Sequence, residues 1–182
     1  MRNCACTTIA PTGTIGIIAG CSSGIEPLFA LAFVRDVMEG KKLFEVNKDL
    51  QTALIKNEIY SGALIRRIMM RGNLKGVAVP DRIKNIFRTA LEIKPQWHVK
   101  IQAAFQKHVD NAVSKTINLP NSASIKDVRN AYLLAHKLRC KGITIYRYGS
   151  KPEQVLYLGK GNKYSKATLD FTGTCVGNTC QL

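Results

Sequence analysis

The chain has 182 residues with a formal net charge of +15, and 46% of its residues are hydrophobic. This length can bury a core, and the hydrophobic content excludes wholesale disorder. No apolar run approaches the ~20 residues of a membrane span, and the N-terminus lacks the apolar stretch of a signal peptide, so we expect a cytoplasmic protein. The basic residues form no dense tract, so the charge predicts only weak binding to polyanions, or to an acidic partner chain.

The first predicted unit is a short strand, a tight turn and the start of a helix. Residues 7–10 favour a strand, which Pro11 ends because proline has no N–H to donate. Thr12 is a good N-cap, and Gly13 allows close approach to the backbone. The first N–H groups of the helix, together with the Thr12 and Thr14 hydroxyls, could bind a phosphate. An ordinary capped turn fits the same residues, so the pattern alone leaves both interpretations open.

A β-hairpin and four helices are predicted next along the chain. Residues 31–37 and 42–46 favour strands, and residues 38–41 suit the turn between them. Apolar residues then recur at helical spacing, which predicts four amphipathic helices. Their predicted buried faces are Leu50, Leu54, Ile55 and Ile59; Leu64, Ile65, Ile68 and Met69; Ile83, Ile86, Phe87, Ala90 and Leu91; and Trp97, Ile101, Ala104 and Phe105.

The last regular unit is predicted to be strand, helix, strand. Residues 112–119 favour a strand that Pro120 stops, and residues 142–146 favour another. Ser124 and Asp127, which lie between the two predicted strands, resemble a capping box at the start of a helix. The short connections predict two parallel strands with a right-handed crossover. The predicted buried face of the helix is Ile125, Val128, Tyr132, Ala135 and Leu138.

Six cysteines in a chain without a secretory signal are expected to be thiols or catalytic sulfurs. Four are interpreted as small buried hydrophobic residues: Cys4, Cys6, Cys21 and Cys140. His98 and His108 lie about 80° apart around a helix axis, so no metal site is predicted from them.

The chain changes character after residue 150. Residues 151–182 are polar and weakly periodic, which predicts a mobile tail after a domain over residues 1–150. Cys175 and Cys180 lie near its end, and the Gly-Asn between them allows a turn that would bring the two sulfurs together as a disulfide. No further zinc ligands are evident nearby. We therefore favour a thiol–disulfide shuttle, which a flexible linker with a span of ~25–30 Å would carry into a cleft.

Five segments in order along the chain resemble ribonucleotide reductase. They are residues 7–15, 22–31, 97–108, 110–120 and 140–147. They are most similar to the carboxy-terminal part of the adenosylcobalamin-dependent, class II catalytic chain. The resemblance implies an α/β fold that is the carboxy-terminal part of a ten-stranded α/β barrel, followed by the flexible cysteine-containing tail.

The resemblance also implies roles for the two motifs already described. Cys175 and Cys180 match the pair that re-reduces the active-site disulfide and is itself reduced by an external dithiol such as thioredoxin. The loop that holds the substrate diphosphate is matched by Pro11, Thr12, Gly13, Thr14 and Ile15.

The implied activity is radical conversion of ribonucleotides, expected to be diphosphates, to 2′-deoxyribonucleotides for DNA synthesis, with adenosylcobalamin bound by the complete enzyme. The family's Asn-x-Cys-x-Glu loop, which carries the radical cysteine, is absent. We therefore expect no activity without the amino-terminal part of the barrel, which is either on another chain or missing from this sequence. The alternative is a non-catalytic or decayed fragment that acts as a basic nucleotide- or nucleic-acid-binding module.

Overall fold

A computed structural model describes residues 2–37 and 41–150, and these residues form two compact units. The first unit comprises residues 2–27 and 91–150, and the second comprises residues 28–90. In these described ranges, no helix is long and apolar enough to cross a membrane.

Two sequence predictions fall wholly or mainly outside the described residues. Residues 38–40 of the predicted hairpin turn are among those not described, as is the whole predicted tail over residues 151–182. The domain boundary after residue 150 and the shuttle role of Cys175 and Cys180 therefore stay predictions.

The second unit contains an antiparallel hairpin and three helices. Strand β1 (Ala32–Val37) pairs with β2 (Lys41–Val46), and Ala32 lies opposite Val46. This pairing confirms the predicted hairpin strands. The helices are α2 (Lys48–Lys56), α3 (Gly62–Arg71) and α4 (Asp81–Ile86).

Helices α2 and α3 begin at side-chain caps. The Asn47 side chain accepts the Leu50 N–H at 2.9 Å, and the Ser61 hydroxyl accepts the Leu64 N–H at 3.2 Å. Both bonds satisfy N–H groups that have no partner inside the helix. Five of the predicted inward residues are buried in the core of this unit, whereas Ile55 is exposed. The five are Leu50, Leu54, Leu64, Ile65 and Ile68.

The predicted single helix with a stripe from Ile83 to Leu91 is wrong. Helix α4 ends at Ile86, whose side chain is exposed, and a separate 3₁₀ turn follows over Ala90–Glu92. The Ala90 N–H donates to the Leu28 carbonyl at 2.8 Å, so it does not continue the helical ladder. A tertiary hydrogen bond thus replaces the helical bond that periodicity predicts.

The first unit is built around a parallel strand pair. Strands β3 (Thr116–Leu119) and β4 (Thr144–Arg147) are parallel, with Thr116 opposite Thr144, and helix α6 (Ile125–Lys137) connects them. This confirms the predicted strand–helix–strand unit. The buried core of this unit includes Val99, Ile117, Leu119, Ala131 and Ala135.

The predicted strand over residues 7–10 is reduced to a single parallel bridge between Ile9 and Val113. The Ser114 N–H donates to the Ile9 carbonyl at 2.9 Å, and the Asn111 N–H donates to the Thr7 carbonyl at 3.0 Å. Within residues 2–37 and 41–150 the strands do not close into a barrel.

Helix α6 has the predicted capping box, and its predicted buried face is confirmed in part. The Ser124 hydroxyl accepts the Asp127 N–H at 3.2 Å, and an Asp127 carboxylate oxygen accepts the Ser124 N–H at 2.8 Å. Of the predicted inward residues, Ala135 is buried and Val128 and Leu138 pack against the core, whereas Ile125 and Tyr132 are exposed. Ala131, which was not predicted, is buried as well, and the small alanine side chains allow α6 to approach helix α5 (Pro95–Gln106) closely.

Helix α5 (Pro95–Gln106) is turned the opposite way from the prediction. Trp97 is 56% exposed and Ile101 and Phe105 are also exposed, so the predicted inward face is wrong. The buried residues of the helix are His98, Val99, Gln102, Ala103 and Gln106. Gln102 and Gln106 donate side-chain N–H groups to main-chain carbonyls, and this use of polar side chains explains why the less apolar face lies inside.

Candidate functional site

The predicted phosphate loop forms the start of helix α1 (Gly13–Ala19). The first hydrogen bond of the helix runs from the Gly16 N–H to the Thr12 carbonyl at 2.9 Å. The N–H groups of Gly13, Thr14 and Ile15 come before it, so they have no partner within the helix. They lie at the positive end of the helix, where an anion is stabilised. The structure therefore brings the loop residues together in a form that can accept an anion.

Thr12 lies directly before the helix, as predicted, but its side chain has a different partner. Its hydroxyl oxygen accepts the Gly24 N–H at 2.7 Å. The φ angle of Thr12 is 51°, which is rare for a β-branched residue. Such a conformation costs on the order of 1–3 kcal/mol and persists only where surrounding contacts enforce it.

A second loop, residues 21–26, follows α1 and returns to its start, where the Gly24 N–H bonds to Thr12. The Cys21 N–H donates to the Gly16 carbonyl at 2.9 Å. A Cβ atom at Gly16 would lie 3.3 Å from the Cys21 carbonyl oxygen, so a larger residue there would require the two segments to separate slightly. The sequence predicts a flexible connection over residues 19–24 and a turn over residues 24–27, and it does not reveal that the loop returns to Thr12. Gly16 and Gly24, one at each contact of this loop with α1, were the available sequence signal.

An ion pair between a buried lysine and a half-buried glutamate fixes the far end of that second loop. The Lys115 ammonium donates to Glu26 Oε2 at 3.0 Å and to the Ile25 carbonyl at 3.1 Å. The other Glu26 oxygen, Oε1, accepts the Thr116 N–H at 2.5 Å. The Lys115 side chain is 1% exposed. No sequence pattern predicts this pair, because its two residues are 89 positions apart.

An open cavity of about 510 Å³ lies beside this ion pair, within the first unit. Glu26 and Lys115 contribute to its lining, and most of the remaining wall is apolar. Trp97 and Ile101 of α5 are part of that apolar wall, and the Lys100 ammonium lies 4.4 Å from the centre of the Trp97 ring. The residues of the helix start do not line this cavity.

The described cysteines differ from the prediction that four of them are buried. Cys4, Cys6 and Cys21 are exposed, and Cys140 is half-buried. Burial raises the pKa of the Cys140 thiol, which disfavours the reactive thiolate. In residues 2–37 and 41–150, no group of three His, Cys, Asp or Glu side chains could hold a metal ion.

Comparison with known proteins identifies the family of this chain. The family model for the ribonucleotide reductase barrel domain matches residues 1–146. The chain belongs to the ribonucleotide reductase family. This membership confirms the resemblance described from the sequence, and it does not favour the alternative of a nucleic-acid-binding module.

Two curated reductases are similar to nearly the whole chain. The vitamin B12-dependent ribonucleoside-diphosphate reductase of Thermoplasma acidophilum is 54% identical over 159 residues, which are 87% of this chain and 21% of that protein. The protein of the same name from Mycobacterium tuberculosis strain H37Rv is 46% identical over 182 residues, 99% of this chain and 26% of that protein. The chain thus spans about a quarter or less of the reductases it matches.

A solved structure supports the fold. The alpha subunit of the Actinobacillus ureae class Id ribonucleotide reductase matches 81% of this chain and 27% of its own length, with a TM-score of 0.68 and 23% identity. The predicted fold class, part of the reductase α/β barrel, is therefore confirmed.

Proposed function

We propose that this chain is the carboxy-terminal part of a vitamin B12-dependent ribonucleotide reductase. In this role it takes part in converting ribonucleotides, expected to be diphosphates, to 2′-deoxyribonucleotides for DNA synthesis in the cytoplasm. The observation that carries the proposal is the 54% identity to the Thermoplasma acidophilum reductase over 87% of the chain.

The first contribution that we propose is a site for the substrate diphosphate, formed by Pro11, Thr12, Gly13, Thr14 and Ile15. Three N–H groups at the start of α1 have no partner in the helix, and Thr14, which carries a hydroxyl, is the second residue of the helix. Because α1 has only seven residues, hydrogen bonds contribute more than the helix dipole. We expect the loss of one hydrogen bond to a charged phosphate oxygen to cost roughly 1–2 kcal/mol of binding free energy.

The second proposed contribution is electron supply by Cys175 and Cys180. Reduction of one ribonucleotide oxidises two active-site thiols to a disulfide. Attack by a tail thiolate on that disulfide, followed by closure of the tail disulfide, returns both active-site thiols. An external dithiol such as thioredoxin then reduces the tail pair.

The third element of the proposal is that the remaining portion of the reductase, amino-terminal to this region, covers the exposed face of α5. Trp97, Ile101 and Phe105 form an apolar stripe on that helix, and all three are exposed. Contiguous exposed apolar side chains are typical of interaction surfaces. The residues of the Asn-x-Cys-x-Glu radical loop would come from that remaining portion.

Adenosylcobalamin, in this proposal, is bound by the complete enzyme and supplies the radical chemistry. The donors at the start of α1 are N–H groups and a hydroxyl, which fit a phosphate and not a corrin ring. We therefore assign no residue of this chain to the cofactor.

A hybrid reductase tests the proposal. In the Thermoplasma acidophilum reductase, the region that matches this chain is replaced by this chain, and deoxynucleotide formation is measured with adenosylcobalamin, a dithiol and a ribonucleoside diphosphate. We expect product from the hybrid, and none from the reductase lacking that region or from this chain alone. A folded hybrid without activity, or product from the isolated chain, would contradict the proposal.

A further inference from the structure

The Lys115–Glu26 pair has features of a positioning device. Lys115 is buried, and placing an ammonium group away from water is unfavourable unless it is paired. Even a paired buried charge contributes little net stability compared with apolar residues of similar size. Stabilisation of the fold therefore explains this ion pair poorly. Its geometry suggests instead that it positions the neighbouring backbone.

Glu26 is held by both carboxylate oxygens. Oε2 accepts from the Lys115 ammonium, and Oε1 accepts from the N–H of Thr116, the first residue of β3. A carboxylate with partners on both oxygens has one allowed orientation. The Lys115 ammonium also donates to the Ile25 carbonyl at 3.1 Å, so the backbone beside Glu26 is tied to the residue just before β3 as well.

A short run of hydrogen bonds leads from Glu26 to the helix start. The Glu26 N–H donates to the Ser23 carbonyl at 2.9 Å, which closes the turn containing Gly24. The Gly24 N–H in turn donates to the Thr12 hydroxyl oxygen at 2.7 Å. Thr12 has the left-handed φ angle of 51°, which needs such external support.

We propose that Glu26 is a positioning residue that aligns the phosphate-binding N–H groups of α1 through the turn over residues 23–26. This inference rests on the proposed phosphate role of the α1 start. Lys115 serves the same purpose in two ways. Its ammonium group holds the Glu26 side chain in place. Its positive charge also compensates the negative charge of Glu26, which would otherwise oppose the binding of an anion by the same unit.

The test is a titration of the full 182-residue chain with inorganic pyrophosphate, followed by NMR of the backbone amides. Pyrophosphate should shift the amide signals of Gly13, Thr14 and Ile15. In Glu26→Gln, those shifts should need roughly tenfold more pyrophosphate, equivalent to losing about one charge-assisted contact. The Gly24 amide should also exchange faster with solvent in this variant, because its bond to Thr12 is weakened.

Asp127→Asn is the matched control. It also removes one negative charge from the first unit, and it lies in the capping box of α6. Both substitutions make the chain more basic, which by itself strengthens pyrophosphate binding. Weaker binding in Glu26→Gln only, with the control unchanged or slightly tighter, therefore reports lost alignment and not altered charge.

The outcomes separate the two proposals. No shift at Gly13 to Ile15 in the unaltered chain would overturn the phosphate assignment, and the positioning role with it. Equal binding by Glu26→Gln and the unaltered chain would overturn the positioning role alone. If Glu26→Gln does not fold, Glu26→Asp replaces it: the shorter acid keeps the charge but withdraws the carboxylate, and binding should again weaken. Unchanged binding by Glu26→Asp would overturn the positioning role.

Discussion

The Gly24 N–H and the Thr12 hydroxyl oxygen are joined at 2.7 Å, and both residues have left-handed backbones, with φ angles of 48° and 51°. Gly24 adopts this conformation without strain, whereas Thr12 is strained in it because of its Cβ atom. The hydrogen bond therefore connects a relaxed turn to a strained helix start, and this relationship determines how each residue should respond to substitution.

Gly24→Ala should destabilise the chain by about 1–3 kcal/mol, because the left-handed φ angle disfavours a Cβ atom. That atom would also lie 3.0 Å from the Ala10 carbonyl oxygen. Gly142→Ala is the matched control, since nothing lies within 4 Å of its added Cβ. Urea unfolding measures both variants. Equal stability of the two would mean that the left-handed φ angle and the close carbonyl at Gly24 do not restrict the residue at that position.

Thr14→Ala should affect only diphosphate binding, whereas Thr12→Ala should affect both binding and stability. Thr14→Ala should weaken diphosphate binding in the hybrid reductase by roughly 1–2 kcal/mol, about 5- to 30-fold, with little change in stability. Thr12→Ala should weaken binding similarly and also lower stability, because the Gly24 N–H loses its acceptor. Dissociation constants and urea unfolding distinguish the two. Unchanged affinity in both variants would remove the phosphate assignment.

Local signals predicted the parts of the fold that local interactions form. The capping box at Ser124 and Asp127 is an example, as it marks the start of α6 in the structure. The parallel β3–β4 pair was also predictable, because a short strand–helix–strand sequence allows few arrangements.

Tertiary hydrogen bonds account for what the sequence did not reveal. The Leu28 carbonyl accepts the Ala90 N–H and interrupts a helix that periodicity extends. The buried Gln102 of helix α5 donates to the Val113 and Gly142 carbonyls, which lie outside the helix. These bonds place a polar side chain on the inner face, so the apolar residues do not define that face. For the candidate site, the α1 start was predictable from its own residues, whereas the Glu26–Lys115 pair depends on a distant contact.

Cys175→Ser and Cys180→Ser should each abolish turnover of the hybrid reductase with thioredoxin but preserve turnover with a small dithiol. A small dithiol reaches the active-site disulfide directly, whereas a protein donor depends on the tail pair. Cys21→Ser serves as the control, because Cys21 is an exposed thiol outside the proposed relay. Equal loss of activity with both reductants would show that the pair has another role.

Asp110 should make the free energy of unfolding depend on pH in acidic solution. Its carboxylate accepts the N–H groups of Cys6 at 2.9 Å and Thr7 at 3.0 Å, and the Thr7 hydroxyl. These hydrogen bonds, with Cys6 contributing most, lower its pKa below the ordinary value of 3.8. A lowered pKa means that the folded state favours the ionised form. The stabilisation is therefore complete above the ordinary pKa and is lost as pH falls through the lowered one.

Comparing the unaltered chain with Asp110→Asn at neutral pH and in acid measures this contribution. We expect the unaltered chain to be more stable at neutral pH and the difference to shrink progressively below the ordinary pKa of the carboxyl. A difference that stays constant across this range would mean that the charge of Asp110 does not stabilise the fold.

Gln102→Met tests the reversed orientation of α5. The Gln102 side-chain N–H groups donate to the Val113 carbonyl at 3.0 Å and to the Gly142 carbonyl at 2.9 Å, and the side chain is buried. Methionine keeps a similar volume but leaves both carbonyls without these donors, which should cost about 1–3 kcal/mol. Gln96→Met is the matched control on the exposed side of the same helix, and it should change stability by less than about 0.5 kcal/mol. Urea unfolding of the two variants measures the difference. If the two substitutions cost the same, Gln102 does not face the interior and the apolar side of α5 does.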